Sequence, residues 1–151
     1  MSTIGTDRSD SLRASTRAGA SYALIVFAVG CVLGSLRVLL LAPHLGAMVA
    51  VLLEAPFMLA ASWWVATWCT GRFRVPAQRR ARVLMGVVAF GVLMLAEFAL
   101  GTLAFGDSVP AYLRTIGSAP GAIGFAAQIA FASFPLLQLK CEHPRVVPQS
   151  S

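Results

Sequence analysis

The chain has 151 residues, of which 58% are hydrophobic and 12% charged, and its net charge is +6. Soluble domains carry about 25% charged residues, so this composition, with a mean hydropathy of +0.77, excludes a soluble globular domain. The pI of 10.3 does not point to nucleic acid, because the charges collect beside the ends of apolar runs rather than in one basic patch.

Residues 1–18 are polar and poor in aromatics, which predicts a flexible segment. No charge then falls between Arg17 and Arg37, and the spacing predicts a first membrane helix over 19–42. Spanning about 30 Å of hydrocarbon takes roughly 20 apolar residues. A secretory signal is the rival for this stretch. The apolar run is too long for one, and no small-x-small cleavage site follows it. Tyr22 stands where an interfacial anchor belongs. Gly30 and Gly34 form a small-x-x-x-small pair that favours close helix approach. Arg37 shares their face.

Pro43, His44, Leu45 and Gly46 read as a tight turn leading into a second helix over 46–70. That helix carries one charge, Glu54, and Pro56 two residues later, which removes a backbone donor. Trp68 reads as a second anchor, while Trp63 and Trp64 lie deeper. A basic loop follows, with Arg72, Arg74, Arg79, Arg80 and Arg82. These residues set topology and attract anionic lipid, each worth about 1 kcal/mol near the surface. The third helix is expected over 83–105 with Glu97 its one charge. Asp107 and Ser108 look like caps for a short interfacial helix near 109–116, anchored by Tyr112. The fourth membrane helix is expected over 117–139, with Gln128 and, on the same face, Gly121 and Gly124. Residues 140–151 form a tail. The fold class is therefore all-α: a polytopic, four-helix transmembrane domain over 19–139.

Orientation follows from the basic residues. Arg8, Arg13, Arg17, the five loop arginines, Lys140 and Arg145 fall on one side, with only Arg114 beyond the opposite helix ends. Cytoplasmic segments carry this excess, so both termini are expected in the cytoplasm. Eleven of the twelve basic residues are arginine, a bias that fits a GC-rich bacterial genome and an inner-membrane location. The three cysteines have no C-x-x-C spacing and suggest neither a disulfide framework nor a metal site. No cofactor is indicated.

The functional clue is the set of polar residues inside the spans. A charge in hydrocarbon costs roughly 2.5–3.5 kcal/mol, so such residues face the protein interior and often mark function. Arg37 lies seven residues before His44 and Glu54 ten after it. At about 1.5 Å per residue, their depths differ by only a few ångströms. Glu97 falls at the same level and Gln128 slightly deeper. Each lies on the small-residue face of its own helix, with Gly101 on that of Glu97, which predicts that the four converge. Two readings stay open. In one, Arg37 pairs with Glu54 and Glu97 with Gln128, fastening the helices. In the other, the surplus carboxylate binds a proton, a cation or a ligand amine. His44 reads as a turn histidine, with proton entry or interfacial metal binding the alternative.

The segments G-S-L-R-V-L-L-L-A-P-H-L-G (34–46) and L-E-A-P-F-M-L-A-A-S-W (53–63), with the Glu97 helix, resemble a group of small, uncharacterised four-helix inner-membrane proteins of proteobacteria. The resemblance implies the fold and no activity. No Walker A, G-x-S-x-G or H-E-x-x-H signature is present, so an enzyme is not expected. The leading expectation is an accessory or assembly subunit, and the alternative is a small oligomeric transporter or channel using Glu54 and Glu97. Expected partners are the bilayer, anionic lipid at the cytoplasmic face, and either another membrane protein or further copies of this chain.

Overall fold

The computed structural model describes residues 3–106 and 109–142, and all its regular structure is helical. The order is α1 (Thr3–Leu36), a π-helical turn (Arg37–Leu41), α2 (Ala42–Arg72), α3 (Arg79–Phe105), α4 (Val109–Gly117) and α5 (Ala119–Glu142). Three helical runs are long and apolar enough to cross a membrane: Ser9–Arg72, Arg79–Leu103 and Ala119–Cys141. Large apolar side chains point outward, Leu103 at 87% and Trp64 at 80% exposure among them. Such a surface suits lipid rather than water.

The first run is not one rod. Gly46 has φ 78° and ψ 158°, a conformation open essentially to glycine alone, and the chain reverses there. Gly30 then meets Met58, and Gly34 meets Glu54, as an antiparallel hairpin requires. The expected turn is thereby corrected in detail. Pro43 and His44 lie inside the helix, and only Gly46 leaves it. Pro43 has no N–H for the Leu39 carbonyl, and the helix widens just before it. The Ala42 N–H donates to the Arg37 carbonyl, five residues back, which is the π spacing. The His44 ring covers the next carbonyl, with Nδ1 2.9 Å from Leu40 O.

Helix α1 packs on α2 and α3, and α5 packs on the same two. The four close into a ring with α1 and α5 on one diagonal. The core lies at the end next to the loop between α2 and α3. Ala18, Tyr22, Val26, Ala66, Cys69, Met85, Ala89, Leu93 and Phe131 fill it. Two glycines set this spacing: a Cβ on Gly19 would lie 2.6 Å from the Met85 carbonyl oxygen, and one on Gly86 would overlap the Ala132 carbonyl.

Three further sequence expectations are corrected. The amino-terminal segment is helical from Thr3, because Ser15 and Ala18 are buried in the α1–α3 contact. Tyr22 is not an interfacial anchor but fully buried. Arg82 is 2% exposed, inside the protein rather than against lipid, whereas Arg72, Arg74, Arg79 and Arg80 are exposed. Pro56 lies inside α2, whose non-helical residue is Gly46. The expected caps Asp107 and Ser108, the Tyr112 side chain and the tail 143–151 lie outside the described residues.

Helix α2 ends in a Schellman motif. The Val75 N–H donates to Thr70 O at 3.0 Å and the Arg74 N–H to Gly71 O at 3.2 Å. Arg74 takes φ 50°, the left-handed conformation that glycine adopts more easily.

Candidate functional site: a polar-collared cavity

Above the packed core, α1, α2, α3 and α5 separate and enclose an open cavity of about 810 Å³. Ligand pockets run roughly 300–1,000 Å³ and are mostly apolar with a few convergent polar groups. Val26, Phe27, Met58, Leu93 and Phe131 line its inner end. Arg37, Glu54, Glu97 and Gln128 all stand on its wall, contributed by the π turn, α2, α3 and α5 in that order. The depth argument from the sequence accounts for this convergence.

The four form two pairs. Arg37 Nε lies 2.5 Å from Glu54 Oε2, and both side chains are largely shielded. Gln128 Nε2 donates to Glu97 Oε2 at 2.5 Å. The first is an ion pair and the second a hydrogen bond to a carboxyl oxygen. Arg37 opens the π turn, a feature frequent at functional sites. The pairs differ in charge balance. Arg37 offsets Glu54, while Glu97 has a neutral amide partner, and no basic side chain among the described residues makes an ion pair with it.

The glycines divide into two groups. Gly30 and Gly34 face the neighbouring helix: a Cβ on Gly30 would lie 3.4 Å from Met58 Cε, and one on Gly34 4.0 Å from Glu54 Oε1. Gly124, expected at a helix contact, has nothing within 4 Å of its Cβ position and lines the cavity instead. Gly121 also lines it, its N–H donating to Ser118 Oγ at 3.2 Å. The Gly101 carbonyl accepts the N–H of Gly106 at the end of α3. His44 is exposed, and its Nδ1 faces a carbonyl that can only accept, so that nitrogen carries the proton. Among the described residues no three His, Cys, Asp or Glu side chains gather to hold a metal.

Sequence reading missed what floors the cavity. Pro135, inside α5, has no N–H for the Phe131 carbonyl. The Tyr22 hydroxyl donates to that carbonyl at 3.0 Å, and the two rings stack at 4.2 Å. Nearby, Gln138 Nε2 donates to Trp63 O at 2.9 Å, and Trp63 meets Phe134 edge-on at 5.3 Å. The proline four residues after Phe131 was the available signal, since it leaves a carbonyl in need of a donor.

Fold and composition define an all-helical, multi-pass membrane protein. Comparison with protein-family models, characterised proteins and solved structures gives no match.

Proposed function

We propose that this chain crosses a bacterial inner membrane four times, with both termini in the cytoplasm, and carries a small ligand or ion through its cavity. The carrying observation is the 810 Å³ cavity with Arg37, Glu54, Glu97 and Gln128 on its wall. The four crossings rest on the reversal at Gly46. It divides Ser9–Arg72 into two arms, each longer than the roughly 20 residues a span needs. Orientation rests on the loop arginines, and the bacterial location on the arginine bias. One ring of helices gives little private pathway, so transport calls for two or more copies.

The cavity moves this reading ahead of the accessory subunit, which the sequence alone favours. That second reading keeps one observation: both polar pairs are closed on themselves, as in a fastener. Purification in mild detergent with mass spectrometry of co-purifying proteins tests it.

The carrier reading is tested by flux. Glu97→Gln removes the carboxyl but retains an amide able to hydrogen-bond Gln128. Proteoliposomes holding the wild type should show pH- or cation-dependent flux, and those holding Glu97→Gln should not. The thermal midpoint in detergent should stay the same. Wild-type flux no greater than that of empty liposomes, across a broad ion and pH screen, would remove the carrier reading.

A further inference from the structure

We propose that the cavity is a binding site for a lipophilic amine, a molecule with one ammonium group and an apolar body, whose ammonium pairs with Glu97. The inference rests on the carrier reading for the place of the site and names its ligand class.

Charge is the first argument. Arg37 and Glu54 cancel across an ion pair. Glu97 is then the surplus acid on the wall, and the Gln128 amide is its partner among the described residues. A carboxyl group away from water is either protonated or paired with a cation, so a ligand that brings one positive charge complements the site.

Shape is the second. An inorganic cation of the magnesium or calcium type seeks six or more oxygens, and here the Glu97 carboxyl with its Gln128 partner faces walls that are chiefly apolar. A hydrated ion would leave water against Val26, Phe27, Met58, Leu93 and Phe131. An organic ammonium instead places its N–H donors on Glu97 and its carbon body on those side chains. Phe125 stands on the same wall, and an aromatic ring attracts a cation placed over its face. The empty space beside Gly124 leaves room for the body of the ligand.

The test uses three naphthalenes of one shape and three charges: 1-naphthylmethylamine, 1-naphthylmethanol and 1-naphthylacetate. Binding to the protein in phosphatidylcholine nanodiscs is read by fluorescence, with empty discs subtracted. The amine should bind saturably and at least tenfold more tightly than the alcohol, and the acetate most weakly. Glu97→Gln should reduce the amine's affinity at least tenfold and leave the alcohol's unchanged. Gly124→Leu, which fills the cavity without touching a charge, should weaken the amine and the alcohol alike. Discs with half their lipid replaced by phosphatidylethanolamine separate two sources. Weaker amine binding there assigns the site to an aminolipid headgroup, and unchanged binding to a diffusible amine; either supports an ammonium site. Equal binding of the three compounds, or an amine affinity untouched by both variants, would overturn the proposal. Binding is read at equilibrium, so absent flux leaves it standing. Absent amine selectivity leaves the carrier reading open to another ligand.

Discussion

Pro135 and Tyr22 show how one missing hydrogen shapes this interior. In lipid a backbone carbonyl without a donor costs several kcal/mol, and water is not there to help. The Phe131 carbonyl loses its helical donor to Pro135 and takes the Tyr22 hydroxyl instead. Tyr22→Phe should therefore destabilise the protein by about 1 kcal/mol, although it retains the ring stack. In a Pro135→Ala background, the alanine N–H can serve that carbonyl, and the same Tyr22 change should cost less than half as much. Thermal midpoints of the four proteins in one detergent check this; equal costs in both backgrounds would mean that the hydroxyl is not answering the proline. This contact was not legible beforehand. The two residues lie 109 positions apart, and a tyrosine near a helix end reads equally well as an interfacial anchor.

At the scale of elements, the chain's pattern exposes its apolar runs and its reversal but not which faces meet. The runs are legible because a bilayer demands length and hydrophobicity, and both are local properties. The polar residues are legible because their depth follows from counting along helices. Arg82 was misread because its neighbours in sequence, Arg79 and Arg80, are exposed, and only the approach of other elements decides which arginine turns inward. The amino-terminal helix was missed for a like reason: its polar sequence gains order by packing Ser15 and Ala18 into the core. Glycine spacing was legible in part. Gly19 and Gly86 permit the tightest approaches, while Gly91 and Gly124 have open space at their Cβ positions. Gly86→Ala should force α3 from α5 and cost about 2 kcal/mol, lowering the thermal midpoint by about 5 °C. Gly91→Ala should be neutral or slightly stabilising, since alanine is the better helix former. Matched losses at both positions would show that close approach at Gly86 does not set the spacing.

For the whole molecule, packing is unequal along the bundle axis. The end next to the arginine loop holds the core, and the Gly46 end holds the cavity. If the loop arginines face the cytoplasm, the closed end faces inward and the cavity lies in the outer half of the bilayer. A site so placed is reached from the periplasm or from the outer leaflet. Reporter fusions after residue 76 and at the carboxyl terminus should report cytoplasm, and one after residue 110 should report periplasm. Removing charge tests the cause as well as the arrangement. Changing Arg72, Arg74, Arg79 and Arg80 together to Gln should leave a mixed population of orientations, because these exposed residues supply much of the asymmetry. Arg82→Gln alone should lower stability through its buried position without altering orientation. A periplasmic carboxyl terminus in the unaltered protein would invert the molecule, open the cavity toward the cytoplasm and reverse the direction from which its ligand arrives.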